Sequence, residues 1–242
     1  MKVKALNWTG KGEQDALYAA KLLIFTKETR MDMSGSWEKV FRMTKEEVDA
    51  QLAYMANTIA SSWEFLDMTF LISECSRATA QQITRTRTAS FAMQSQRVLD
   101  VSSSGYDAKS PAVAASIDAS VDNYKYMIDN GTPLEDARDA LPIGMHCNLV
   151  AKYNLRTIVD LCIARQSLRV QGPYRDMVTQ MKEQVLEIWP WAAPFFVPNN
   201  DKAAELVEYV AQQLRSLEGL NGAMYNGLSG KLAKAADLMK KG

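Results

Sequence analysis

A chain of 242 residues with 28 basic and 28 acidic side chains can bury one sizeable core and carries no net charge. That balance argues against a nucleic-acid coating protein, which gains affinity from a net basic surface. Cys75, Cys147 and Cys162 are odd in number and lack CxxC spacing, so they suggest neither a disulfide framework nor a zinc site.

Val3–Trp8 alternates loosely and reads as an opening strand. A helix from about Glu13 to Ile24 follows, with Ala16, Ala19, Ala20 and Leu23 along one side. Met31 to Arg42 is the least regular stretch and reads as a loop. Thr44-Lys-Glu-Glu47 is a capping box, after which Val48, Leu52, Met55 and Ile59 recur at helical spacing. Leu66–Ile72 has the aromatic and branched content of a strand. A short helix through Ala78 and Ile83 delivers the chain to an arginine-rich loop.

Ser110-Pro111 is an N-cap followed by Pro at the first helical position. Val113, Ile117, Val121, Tyr124 and Ile128 form that helix's stripe, and Gly131 stands where a C-terminal cap belongs. Thr132-Pro-Leu-Glu135 predicts a second capping box and a helix kept short by Pro142. Ile158, Val159, Cys162 and Ile163 mark a further helix ending near Arg169. Gly172-Pro173 opens another, with Tyr174, Met177, Met181, Val185 and Ile188 on its face. Pro190, Pro194 and Pro198 break the chain before a last helix on Leu206, Val210, Leu214 and Leu217, and a Lys-rich tail from Lys231. The expected fold is α+β: one mostly helical domain over 1–242 with a small mixed or antiparallel sheet and a C-terminal helical extension from about 199. No G-x-G-x-x-G follows a strand, so a dinucleotide is not held in the Rossmann manner. The first residues lack an apolar leader core and no run reaches the length of a membrane span, which points to a reducing cytoplasm, that of the host cell for a viral source.

The stretch Gln82 to Arg97 is the most informative. It holds Arg85, Arg87 and Arg97, three glutamines and two serines, with no acid. Many donors without a carboxylate read as the lining of an anion site, most simply a phosphate or nucleotide pocket; alone, the same residues also describe a solvated basic loop. His146, the single histidine, lies on an apolar run and supports neither a triad nor a metal cluster. Cys147 and Cys162 read as packing residues. Trp189 and Trp191 read as cover for the core or for a subunit interface.

Four separated blocks, in order, resemble the flavin-dependent thymidylate synthases. Arg85-Thr86-Arg87-x7-Ser95-x-Arg97 is similar to that family's Arg-His-Arg-x7-Ser signature. Ala137-Arg138-Asp-Ala-Leu141-Pro142 matches Ala-Arg-x-x-Leu-Pro. Asn154-x-Arg156, Asp160 and Arg165 follow the family's Asn-x-Arg, Asn and Arg spacing. Upstream, Ser61-Ser-Trp-Glu64-Phe resembles Thr-Pro-Phe-Glu-His. The resemblance runs from about Ala60 to Arg175.

It implies a homotetramer with FAD and nucleotide at subunit interfaces. It also implies transfer of a one-carbon unit from 5,10-methylenetetrahydrofolate through reduced flavin to C5 of dUMP, with NADPH as reductant. Carried over by position, the nucleotide contacts are Gln82, Arg85, Met93, Ser95, Arg97, Arg138 and Arg165. The flavin contacts are Ser61, Arg85, Thr86, Arg87, Asn154, Arg156 and Asp160. Arg165 takes the catalytic role: a permanent charge beside the pyrimidine stabilises the ring anion that makes C5 nucleophilic. Arg97 and Arg138 grip the 5′-phosphate with bidentate geometry. Ser95 is a hydroxyl donor near the reacting carbon and has no base to make it a nucleophile. No metal, membrane or polymeric nucleic acid is implied.

Three departures stand out: Thr86 replaces the family's His, Met93 its Glu and Asp160 its Asn. They are consistent with drift in a site held mainly by arginines. They are also consistent with a changed substrate, dCMP, or a hydroxymethyl product, or with a relative that binds nucleotide without catalysis.

Overall fold

Strands β1 (Lys2–Trp8), β2 (Asp67–Ser76), β3 (Ala89–Met93) and β4 (His146–Asn154) form a single sheet in the order β1-β2-β4-β3, every pair antiparallel. This computed structural model describes residues 1–28, 36–58, 60–165 and 172–197, with single positions at 207, 210, 230 and 232. Met68, Phe70 and Ile72 of β2 and Cys147, Leu149, Ala151 and Tyr153 of β4 alternate with less buried neighbours, so one face of the sheet meets the core. The strand expected over Leu66–Ile72 runs on to Ser76, because a bulge between Ile72 and Cys75, with Glu74 at φ 55°, resets the alternation. β4 was not expected from sequence. Neither was β3, which turns part of the arginine-rich loop into an edge strand.

Helix α1 (Tyr18–Glu28) starts later than Glu13 and ends beyond Ile24. Gly10 and Gly12 hold φ of 88°, and the Asp15 carboxylate accepts from the Leu17 N–H at 2.8 Å, so this stretch turns before it coils. Part of the stretch read as irregular is helix α2 (Ser36–Phe41), where Trp37 stacks on Phe41 with centroids 4.0 Å apart. The rest of it, residues 31–35, and Ile59 lie outside the described residues. α3 (Lys45–Ala56) forms with its capping box: Glu47 N–H donates to Thr44 Oγ1 and Thr44 N–H to Glu47 Oε2.

α4 (Arg77–Ile83) and α5 (Pro111–Asp129) also form, the latter capped by Ser110 and left through Gly131 at φ 85°. The capping box at Thr132 does not form. Pro133 takes the cap position of α6 (Leu134–Ala137), no side chain caps it, and a 3₁₀ turn over Arg138–Ala140 follows. α7 (Leu155–Arg165) leaves β4 without a loop, and its expected end near Arg169 lies outside the described residues. α8 (Gly172–Ile188) leads to a 3₁₀ helix over Pro190–Phe196.

The main core joins α1, α3, α7 and α8 to the buried face of the sheet. Gln180 and Gln184 of α8 accept from the Val3 and Ala5 N–H groups, occupying the open edge of β1. Trp189 is buried in this core and stacks on Trp191. α5 builds smaller clusters, around Val101, Tyr124 and Ala137 and around Ile117, Val121 and Met145. The chain divides into the units Met1–Phe196 and Val197–Gly242. The expected last helix and Lys-rich tail fall, single positions apart, outside the described residues. No helix among the described residues is long and apolar enough to cross a membrane.

Candidate functional site

The first group of site residues gathers where β4 turns into α7. Ala89 pairs with Tyr153, so the Arg85-Thr86-Arg87 run that leads into β3 lies beside this junction. The Thr88 and Thr157 hydroxyls are 2.9 Å apart and lock the two segments together. Asn154 Oδ1 accepts from the Thr157 N–H at 2.8 Å and so caps the first turn of α7. Arg156 Nη1 donates to Glu64 Oε1 at 2.6 Å, and its Nε lies 3.9 Å from Asp160 Oδ2. Glu64 belongs to a 3₁₀ helix over Ala60–Phe65 that also carries Ser61; the Leu155 N–H donating to Leu66 O pins that segment here. Arg85 and Arg87 are exposed, and no carboxylate among the described residues lies within ion-pair distance of either. Gln82 is half-buried in the last turn of α4.

The second group lies at the other end of β3. Four residue steps of about 3.3 Å separate Ala89 from Met93 by about 13 Å. Met93 is partly exposed, with Sδ 3.9 Å from Cys147 Sγ. Ser95 Oγ accepts from the Arg97 N–H at 3.2 Å. Arg97 donates from Nε and Nη2 to Glu135 Oε2 at 3.3 and 3.1 Å, and Arg138 Nε lies 3.8 Å from Asp139. The α6 turn therefore brings Arg97 and Arg138 to one place. Arg165 is in neither group. Nine helical residues carry it about 14 Å along α7 from Arg156, and its guanidinium sits 5.4 Å over the Tyr174 ring.

Sequence reasoning missed the carboxylate partners. Glu135 reads as a helix cap but holds Arg97, and Glu64 reads only as part of a motif but holds Arg156. His146 Nε2 lies 3.1 Å from Asp107 Oδ1 without hydrogen-bond alignment, and the His146 backbone N–H donates to Gly105 O, which fixes the loop beside the second group. Burial pushes the Cys147 thiol up from its ordinary pKa, opposed by the Arg77 charge. Burial, reinforced by Tyr174, holds the Tyr153 phenol far above its usual range. A cavity of about 610 Å³ lies apart from both groups, between Leu17, Leu52, Ile188 and Trp191, and no site residue lines it. A smaller one of about 150 Å³ adjoins the second group at Gln94, Gly105, His146 and Cys147.

Comparison with known proteins adds to this geometry. The family described as Thymidylate synthase complementing protein matches residues 5–191. The flavin-dependent thymidylate synthase of Saccharolobus solfataricus is 27% identical over 213 residues, covering 82% of this chain and 78% of that one. Among solved structures, thymidylate synthase X from Helicobacter pylori, crystallised with FAD and dUMP, aligns with a TM-score of 0.66 at 15% identity, over 81% of this chain and 99% of that one. The UMP/dUMP methylase PolB from Streptomyces cacaoi, bound with 5-Br dUMP, aligns with a TM-score of 0.61 at 18% identity, over 81% and 94%.

Proposed function

Since the chain belongs to the thymidylate synthase complementing protein family, the flavin-dependent thymidylate synthases, we propose that it methylates C5 of a pyrimidine deoxynucleoside monophosphate, dUMP first, with FAD as its cofactor. The observation that carries the reading is the β4–α7 junction. There Arg85 and Arg87 stand without carboxylate partners among the described residues, beside Thr86, Asn154 and Arg156, a donor set that suits the phosphates and ring carbonyls of FAD. FAD, when bound, supplies electron transfer between NADPH and the one-carbon unit of methylenetetrahydrofolate.

The chain's own residues bind and polarise. Arg97 and Arg138 hold the 5′-phosphate, joined by Ser95, whose hydroxyl accepts from the Arg97 N–H and which we assign to the phosphate instead of the reacting carbon. Glu135 keeps Arg97 extended until phosphate replaces it. Arg165 stabilises negative charge on the pyrimidine as C5 becomes nucleophilic. These groups occupy three separate places on one protomer, which favours sites completed by neighbouring copies in a closed homotetramer. Asp160 sits beside Arg156 at the cofactor end, so it serves that arginine rather than reading a cytosine amino group. That favours dUMP over dCMP.

The test is reconstitution of purified protein with FAD, followed by product analysis with dUMP and dCMP side by side. The reading expects a bound flavin band and dTMP. Nucleotide binding without flavin would instead mark a non-catalytic relative.

A further inference from the structure

Arg77 is the first residue of α4 and is half-buried. Among the described residues its Nη1, sealed from solvent, has no hydrogen-bond partner, and no carboxylate lies within ion-pair distance. Arg97 and Arg156, by contrast, are answered by Glu135 and Glu64. A sealed guanidinium nitrogen without an acceptor costs stability, and such a group calls for an acceptor from outside the chain.

Its position says which acceptor. The Arg77 N–H donates to Met145 O and the Ala78 N–H to Ile143 O, so Arg77 is moored on the turn over 142–145. That turn follows directly from Leu141, whose N–H donates to Arg138 O. Two residues beyond Met145, Cys147 feels the Arg77 charge, and its sulfur touches Met93, two residues before Ser95. Arg77 thus stands near both the Arg138 turn and the end of β3 that leads to Ser95 and Arg97. A second orphaned donor lies in that segment: Gln96 is 6% exposed and its Nε2 has no partner among the described residues. No motif block in the sequence includes Arg77.

We propose that Arg77 is a further substrate-binding residue, donating to the phosphate of the nucleotide alongside Ser95, Arg97 and Arg138. The proposal rests on the reading of those three residues as the phosphate site. Glu135 and Asp139 set two carboxylates beside Arg97 and Arg138, so even with Arg97 released from Glu135 a phosphate dianion meets a balanced site only with a further cation.

The experiment compares wild type, Arg77→Met and Arg77→Lys by calorimetry with dUMP and with deoxyuridine, which lacks the phosphate, and by melting of the ligand-free protein. Arg77→Met should weaken dUMP by at least about tenfold, the scale of one charged hydrogen bond. Deoxyuridine should be unaffected. The ligand-free melting temperature should hold or rise, because the orphaned charge is gone, and Arg77→Lys should recover part of the dUMP affinity. Unchanged dUMP affinity overturns the proposal, as does an equal loss for both ligands with a lower melting temperature, the signature of a structural arginine. Should wild type bind no dUMP, the nucleotide reading itself falls. Inorganic phosphate then decides Arg77: binding by wild type and not by Arg77→Met upholds the anion site, and equal behaviour removes it.

Discussion

Thr88 and Thr157 are 69 residues apart in sequence and their hydroxyls are 2.9 Å apart in space. This contact holds the arginine run at the start of β3 against the first turn of α7, where Asn154 and Arg156 wait. Thr157 is 6% exposed, so the bond is shielded from water on that side. Its consequences differ from those of the charged pairs around it.

Thr157→Val keeps the shape and removes the bond. Denaturation in urea should show a loss of about 1 kcal/mol, and FAD should be retained less well because the two donor segments are no longer tied. Thr157→Ser should behave as wild type. A valine variant with wild-type stability and flavin content would remove this contact from the account.

The Arg156–Glu64 pair is about half exposed on both partners, 46% and 48%. Exposed pairs contribute at most about 1 kcal/mol to stability, so Arg156→Ala should barely move the melting temperature. FAD affinity, followed by flavin fluorescence, should fall by about tenfold or more with the loss of a charge-assisted donor. The reverse pattern, a large stability loss with normal FAD binding, would make Arg156 a structural residue.

How much of this was legible in sequence varies with what encodes it. The capping box at Thr44 and the Ser110-Pro111 start are local signals between near neighbours, and both formed as read. The box at Thr132 used the same signal and failed, because Pro133 fills the cap position itself. β4 does alternate, with Cys147, Leu149, Ala151 and Tyr153 inward, yet its small and sulfur-bearing residues disguise the period. The arginines proposed for the site stand out through the motif spacing of the resemblance. Their partners Glu64 and Glu135 could not, since pairing across 92 and 38 residues is set by the sheet and by α6.

Glu135→Gln should free Arg97 for phosphate. The pair is exposed and worth up to about 1 kcal/mol, so dUMP affinity should improve by about two- to fivefold. Calorimetry decides the sign. Weaker binding in the variant would show that Glu135 supports the nucleotide site rather than competing in it.

The Cys75 and Cys162 thiols are pushed up to about 12, mainly by burial, from 9.0. Unfolded, each ionises near 9.0, while the folded chain keeps the proton. The native state thus binds more protons above that pH, and stability present below about 9 is lost progressively between about 9 and 12. Urea midpoints at pH 8 and 10 should fall, and Cys162→Ala should flatten the fall. An unaltered slope in that variant would contradict the assignment. Native protein at pH 8 should also resist thiol reagents until it unfolds.

The most direct measurement is release of tritium from dUMP labelled at C5, since methylation at that carbon must expel its hydrogen. With FAD, NADPH and methylenetetrahydrofolate, the wild-type chain should release tritium and form dTMP in equal amounts. Arg165→Ala should do so on the order of 100-fold more slowly, the scale of losing one preorganised donor to a developing anion. No release by flavin-loaded wild type, or wild-type turnover in Arg165→Ala, would contradict the account at its centre.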